Sequence, residues 1–376
     1  MTSVFKDRSK LLPTYVPNIL LHREKEFENI KMALLENESS SVSTAIQIIG
    51  DVGTGKTATL LKLTRDMKKE NLRFAYVNPR QHGATRVLVF RHICRSLTPE
   101  VYSASYSPEE LLLATLTKLK EDKTKAVIMI DDVDYLLLKT KEPIIYSLTR
   151  LNELLPFEEI PVAGVILTAK NVKFRENLDR SEISSLGSKV ITFERYNKRQ
   201  VFDIIQRRVE EAIKPGAIDE KVIEYLSDVA SSPPVNGDIR YAIDVLLNAG
   251  SICDAQNCQK ITIEHIRKAI SYTSLSVTQE EISNMDQELK KVLLAVAMAL
   301  KESGEAYVSL DKIYSTYRES SKKREADMSK FLEMLQDLGD RGVVEIKGLT
   351  KIGISGVPVE NLTNFLEGLM DKLEQT

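Results

Sequence analysis

The chain has no tryptophan, four histidines and only three cysteines in 376 residues. So few thiols cannot staple a chain of this length, which excludes a disulfide framework. Cys253 and Cys258 lack the two-residue spacing of a zinc motif, so with Cys94 they read as small buried or half-exposed thiols. Charge of one sign is lacking too: 52 Lys and Arg oppose 54 Asp and Glu, for a net charge of -2. Any nucleic-acid footprint must therefore be local. Long apolar runs are missing; Val292 to Leu300 is among the longest, and a bilayer needs about 20 apolar residues. The opening "MTSVFKDRSKLLPTYVP" has no apolar core of a secretory signal, so the expectation is a cytoplasmic protein with no membrane partner. Internal repeats and low-complexity tracts are also lacking. What remains, 43% hydrophobic and 28% charged residues, suits a soluble globular chain. At about 150 residues per domain, two or three cores are expected.

The strongest chemical signal is "AIQIIGDVGTGKTATLLKLTRDM". Ala45 to Ile49 reads as a buried strand, Gly50 to Thr57 spells G-x-x-x-x-G-K-T, and a helix with a mostly apolar face follows. Glycines at this spacing let successive backbone N–H groups point at phosphate oxygens, aided by the positive end of the helix. Lys56 then reaches the terminal phosphates and the Thr57 hydroxyl serves Mg2+. Gly50, Asp51, Val52, Gly53, Thr54, Gly55, Lys56, Thr57 and Ala58 are thus the candidate nucleotide-binding residues, for ATP or ADP.

A second signal, "AVIMIDDVDYLLL", ends an apolar strand on paired acids. In a parallel sheet ligands bind beyond the carboxyl ends of the strands, which aims Asp131 at the magnesium. Asp132 has two readings: an acid that orients or deprotonates the attacking water, or a helix cap, since Asp is a favoured N-cap. Further strands are expected at Arg73 to Val77, Val127 to Ile130, Val162 to Thr168 and Lys189 to Phe193, alternating with helices. From Asn197 to Ser276 the periodicity is purely helical, and a third unit begins near Met285. The expected division is a nucleotide-binding core over 1–195, a small helical domain over 196–280 and a third domain over 285–376.

The order "YVPNILLHREKE", "GDVGTGKT", "VIMIDDVD", "SSLGSKVITFERYNKRQ" and "NGDIRYAIDVLLNAG", followed by about ninety further residues, resembles the archaeal replication initiators. These are AAA+ proteins related to the origin recognition complex and the cell-division-cycle helicase loader. The resemblance implies an α/β fold: an AAA+ P-loop NTPase core with a parallel sheet, a helical lid and a C-terminal winged-helix domain. It implies duplex DNA at replication origins as the partner, paralogous initiator subunits and the replicative helicase as further partners, and a nucleoid-associated location. Arg240 in "GDIRYA" matches the lid arginine that touches the terminal phosphates. The family's polar sensor after the Val162 to Leu167 strand falls on Lys170, next to Asn171. Tyr15, Val16, Pro17, His22 and Arg23 match the segment that packs around adenine. Where the family usually has Glu, this chain has Asp132, one methylene shorter. Arg180 sits where an arginine can approach a neighbouring subunit's nucleotide, and an ordinary solvated helix residue is the other reading.

Residues 286–376 carry 13 Lys and Arg against 16 Asp and Glu, so DNA contact there must be focal. Met328, Phe331, Leu332, Leu335 and Leu338 follow helical core spacing, and "GVVEIKGLTKIGI" reads as a two-stranded wing with Gly348 at its tip. Lys322, Lys323 and Arg324 precede that helix, Ser329 and Lys330 lie off its core stripe, and Lys347 and Lys351 flank the wing tip. These are the candidate phosphate and base contacts; the other reading is a helix-turn-helix used for protein contacts with solvated lysines, since Glu325, Asp327, Glu333 and Asp337 share the helix. In "PRQHGATRVLVFRHICRSL", which the resemblance marks as an initiator-specific insertion, Val87, Phe90, Cys94 and Leu97 form the expected core stripe. Arg91 and Arg95 share a helix face, which reads either as a phosphate contact or as a solvated surface. The reading is an ATP-binding origin-recognition protein with slow hydrolysis acting as a switch. A transcription regulator of the same architecture and a protein-remodelling AAA+ ATPase are its rivals.

Overall fold

The computed structural model describes residues 3–38, 44–68, 71–155, 159–273, 282–321, 327–354 and 356–374. Contacts divide the chain into two compact units, Val16–Gln200 with Gly237–Ile239, and Met1–Tyr15 with Val201–Asn236 and Arg240–Thr376.

The first unit is built on a five-stranded sheet: β1 (Thr44–Ile49), β2 (Leu72–Val77), β3 (Lys125–Ile130), β4 (Val162–Ala169) and β5 (Val190–Thr192). The order is β2-β3-β4-β1-β5, and every pairing is parallel. Side chains alternate between faces along a strand, so one strand feeds two cores. Ile128 and Ile130 join a cluster with Ala75, Val77, Val165 and Leu167 beneath the helices Arg86–Leu97 and Pro108–Glu121. Val127 and Met129 join Ile46, Ile48 and Ile166 on the opposite face, beneath Glu24–Glu38 and Lys56–Asp66. Burial on both faces explains why β4 reads as one apolar run: all eight of its residues are buried.

One core stripe differs from expectation. In Arg86–Leu97 the buried residues are Val89, Phe90, Ile93, Cys94 and Leu97, while Val87 is only half-buried. The helix starts at Arg86 on a Thr85 cap, and packing on β2 turns its 89/93/97 row inward.

In the second unit the helices Lys198–Ala212, Glu220–Ser231, Ile239–Ala255 and Ile263–Thr273 form the lid. The N-terminal segment is tied to it: the Lys6 N–H donates to the Ala212 carbonyl at 2.8 Å, and the Phe5 ring lies where a Cβ on Gly250 would stand. The C-terminal part comprises Gln287–Ser303, Leu310–Ser321, Met328–Asp340, the antiparallel pair β6 (Glu345–Ile346) and β7 (Ile352–Gly353), and Val359–Glu374. This is a winged helix, with Gly348 at φ +116° in the turn between β6 and β7. Phe331, Leu335 and Leu338 are buried as their spacing requires, but Leu332 is 40% exposed. Phe331 packs against the Tyr314 and Tyr317 rings and joins Leu335 and Leu338 in the core, while Leu332 lines the space toward the wing.

Lid and winged helix are joined by a buried cation. Arg267, 2% exposed, donates from Nε to the Ile354 carbonyl at 3.1 Å and from Nη2 to the Ala306 carbonyl at 2.9 Å. Its Nη1 pairs with Glu264, whose other oxygen accepts the Val359 N–H at 3.0 Å. A buried guanidinium is tolerated because every arm of its fork finds an acceptor.

Candidate functional site

The turn after β1 is a glycine-dependent loop. Gly53 has φ +75° and Gly55 φ +93°, and a Cβ on Gly53 would stand 1.8 Å from Asp238 Oδ1. Neither position admits a side chain without strain or collision. The helix Lys56–Asp66 begins directly behind Gly55, so its unpaired N–H groups face the concave side of the loop. The Lys56 ammonium turns back onto the carbonyls of Gly50 at 2.5 Å and Asp51 at 2.8 Å. Burial pulls its pKa below the usual lysine value, with Asp131 first among the acids that oppose the shift. Thr54 is buried, Ala58 is half-buried, Val52 is 46% exposed, and Asp51 pairs with Arg195 at 2.7 Å.

Asp131, 1% exposed at the end of β3, is the hub of the site. Its Oδ2 accepts from the Thr57 hydroxyl at 2.8 Å and from the Tyr76 hydroxyl at 2.7 Å, and its Oδ1 accepts from Thr168 at 2.5 Å. Burial, then the neighbouring Asp131 charge, pushes the Tyr76 phenol above the ordinary tyrosine range, which keeps it a donor. Hydroxyl and carboxylate oxygens converging beside a phosphate-type loop are the hard donors that Mg2+ takes. Thr57 and Asp131 therefore fit that ion.

Asp132 has φ +54° and ψ +52°, a left-handed conformation that Asp tolerates better than most residues. Its side chain makes no cap bond to the helix Val133–Lys139. Instead it accepts from Arg80 Nε at 3.2 Å, and the Arg80 guanidinium lies 4.3 Å over the Tyr135 ring. The Asp132 N–H donates to Thr168 Oγ at 3.0 Å, so one hydroxyl fixes both acids. Lys170 is exposed, and its backbone N–H donates to Asp134 at 2.7 Å. The β4 side chain that reaches Asp131 is Thr168, two residues earlier. Its signal was present in "VAGVILTA", where a lone hydroxyl stands next to last in an otherwise apolar buried strand.

Arg23 sits beneath the loop, 3% exposed. Its Nε donates to the Thr54 carbonyl at 2.9 Å, Nη2 to the Glu194 carbonyl and Nη1 to Glu26, and its guanidinium stacks 4.1 Å over Tyr196. It acts as a brace on loop backbone. Neighbouring His22 takes φ +62°, and buried Pro17 offers its carbonyl to Arg65 at 3.2 Å. Half-buried Val16 belongs to the same unit, whereas Tyr15 belongs to the second, where its hydroxyl donates to Glu211 at 3.2 Å. Arg240 is exposed in the first turn of the helix Ile239–Ala255, in the second unit, and Arg180 is exposed at the start of Arg180–Ser185.

Among the candidate DNA contacts, Arg95 lies 4.2 Å over the Tyr102 ring and donates to its hydroxyl at 2.9 Å. Arg91 donates to the Ala104 carbonyl at 3.0 Å. Both are thus held against one loop, while Arg86 is spent on Glu109 and Ser147. Lys322, Lys323 and Arg324 lie outside the described residues. Ser329 and Lys330 are exposed at the start of Met328–Asp340, where the Ser329 N–H is capped by Asp327 at 2.9 Å. Lys351 is exposed, and Lys347 is engaged with Tyr307 at 3.0 Å and Glu345 at 3.5 Å. Between this helix and the wing lies a cavity of about 560 Å³ whose rim includes Glu333, Asp337 and Asp340. Cationic side chains therefore mark the helix start and the wing tip, and acids mark the space between.

Among the described residues, no helix is long and apolar enough to cross a membrane. Residues 41–178 match the AAA domain family, 202–271 the Cdc6 AAA+ ATPase-type lid domain, and 280–353 the CDC6 C-terminal winged helix domain. The chain is similar to the Cdc6p crystal structure from Pyrobaculum aerophilum, with TM-score 0.84 and 26% identity over 99% of this chain and 100% of that one. The Aeropyrum pernix ORC1 protein, solved in complex with DNA, aligns with TM-score 0.63 and 25% identity over the same shares. ORC1-type DNA replication protein 1 of Sulfurisphaera tokodaii is 30% identical over 323 residues, 85% of this chain and 79% of that protein. With an AAA+ core, a Cdc6-type lid and a winged helix in this order, the chain belongs to the ORC1/Cdc6 family of replication initiators.

Proposed function

We propose that this initiator binds ATP or ADP with Mg2+ on the loop Gly50–Thr57 and duplex DNA at replication origins through its winged helix, with slow hydrolysis setting the lifetime of the ATP state. The observation that carries the nucleotide half is the meeting, at 2.8 Å, of Thr57 at the start of the helix behind β1 with Asp131 at the end of β3. Bound magnesium supplies charge neutralisation to the terminal phosphates. The chain's own residues do the rest. Lys56 leaves its two carbonyl partners for phosphate oxygens, Thr168 holds Asp131 in place, and Asp132 orients the attacking water. Asp132 is one methylene short and engaged with Arg80, which supports slow turnover.

The assignment of Arg240 to the terminal phosphates, of Lys170 to the sensor and of residues 15–23 to adenine rests on the family pattern. The domain limits 1–195, 196–280 and 285–376 rest on the change from alternating strands and helices to purely helical periodicity. The DNA half is supported by the winged helix and by the likeness to an ORC1 protein solved with DNA. Lys330, Lys351, Ser329 and Lys347 are the contacts proposed within the described residues, with Lys322, Lys323 and Arg324 beside them in sequence and Arg91 and Arg95 on the insertion. Paralogous initiators and the replicative helicase are the further partners proposed.

The test is enrichment of sheared genomic duplex at near-physiological salt, which suppresses diffuse phosphate binding, with ATP and with ADP. A few discrete sites near replication start regions are expected. Recovery scattered over promoters would favour a regulator, and multiple-turnover hydrolysis near about 10 per second would refute the slow switch.

A further inference from the structure

The five-residue step from Cys253 to Cys258 carries no zinc signature in sequence, but the lid folds it into a cluster. The helix Ile239–Ala255 ends in a Schellman motif: the Cys258 N–H donates to the Cys253 carbonyl at 2.9 Å, and the Asn257 N–H to the Asp254 carbonyl at 3.0 Å. Asn257 takes the required left-handed conformation, φ +57°. This motif brings together the side chains at its third-from-last helical position and two beyond the cap, usually for an apolar contact. Here those positions hold two thiols. The next helix, Ile263–Thr273, adds His265 in its first turn. One donor atom from each of the three residues lies within 4.8 Å of the other two. Cys253 and His265 are buried and Cys258 is half-buried, so the cluster reaches solvent on the Cys258 side.

The structure assigns Cys253, Cys258 and His265 as a binding site for one thiophilic divalent cation, Zn2+, that clips the end of one lid helix to the start of the next. Two sulfurs and an imidazole suit zinc and reject the Mg2+ that belongs at Asp131. Thiolate bonds of about 2.3 Å in tetrahedral geometry need only modest closure from the present spacing. Two thiol protons leave on binding, giving a neutral site, and a water completes four-coordination.

The imidazole is already held on both nitrogens. Nδ1 accepts the Thr262 N–H at 3.0 Å and lies 2.8 Å from the Thr262 hydroxyl, and Nε2 lies 2.9 Å from Gln256 Oε1. Cys258 Sγ faces the Gln256 carbonyl at 3.8 Å. Ligation through Nδ1, the nitrogen that carries the lone pair, exchanges the Thr262 contacts for the metal and leaves the Nε2–H donation to Gln256 Oε1 as the supporting bond that orients a ligating histidine.

The test uses the full chain, reduced and stripped with chelator, titrated with Co2+ and then Zn2+. One cobalt per chain is expected, with thiolate-to-cobalt charge-transfer absorption and tetrahedral visible bands, both erased by one equivalent of zinc. Cys258→Ser and His265→Asn should each weaken binding beyond the about 10- to 100-fold caused by losing a supporting contact. Cys94→Ser, at a buried thiol in the other unit, should change nothing. Circular dichroism checks that the variants fold. Absence of charge-transfer absorption, its survival in Cys258→Ser, or closure of a Cys253–Cys258 disulfide in a chain that takes no metal when reduced would each overturn the assignment.

Discussion

Replacing Thr168 by valine tests the hub of the nucleotide site. The two side chains have nearly the same volume, so no cavity opens and the change is confined to hydrogen bonding. Two bonds are lost: the hydroxyl's donation to Asp131 at 2.5 Å and its acceptance of the Asp132 N–H at 3.0 Å. A hydrogen bond to a charged group contributes about 1.5–3 kcal/mol, and an unsatisfied buried N–H costs about 1–3 kcal/mol. Asp131 keeps its bonds from Thr57 and Tyr76, so the carboxylate is not left bare. The expected net loss is about 2.5–4 kcal/mol, the lower part of the sum, because the Asp132 N–H is only part-buried. For a unit of this size that is a fall of roughly 5–15 °C in Tm. Urea denaturation of the nucleotide-free protein measures it, and Thr168→Ser, which keeps the hydroxyl, should recover most of the loss. A Thr168→Val change below about 0.5 kcal/mol, the range of an ordinary surface substitution, would refute the hub.

Lys56→Ala removes two or more charge-assisted bonds to phosphate, so nucleotide affinity should fall by at least about 100-fold; near-normal binding by calorimetry would displace the loop from that role. Lys330→Ala with Lys351→Ala should flatten the slope of log affinity for duplex DNA against log salt by about 0.9 per lost phosphate contact, and an unchanged slope moves the contacts elsewhere. His82 and His92 stack at 3.8 Å, and burial lowers both pKa values, with the neighbouring His92 charge adding to the shift on His82. The unfolded chain then takes up protons that the native pair resists, so stability should fall as pH drops below about 6.5. A His82→Gln, His92→Gln double variant should flatten that fall, and an identical pH profile would count against the pair.

Much of the core was legible in sequence because its signals are local. A buried strand, a glycine turn and a helix start occupy adjacent positions, and the observed β1 and Lys56–Asp66 follow from them. The five strands appear within two residues of their expected bounds, since apolar runs between helices leave a parallel sheet few alternatives. Where one helical row had to be chosen over its neighbour, local spacing failed. Val87 and Leu332 satisfy the 3.6-residue period as well as Val89 and Leu335 do, and only the partner surface decides which row is buried.

Sequence by itself determined the phosphate-type loop, the acid at the end of β3, the helical lid pattern and the wing, because each is written in neighbouring residues. Tertiary structure alone decided that Thr168 and Tyr76, 37 and 55 residues from Asp131, meet its carboxylate. It also turned Arg23 inward to brace the loop, set Arg267 between lid and wing, and drew Cys253, Cys258 and His265 together. These contacts depend on which strands pair and how helix ends turn, and no local period records that.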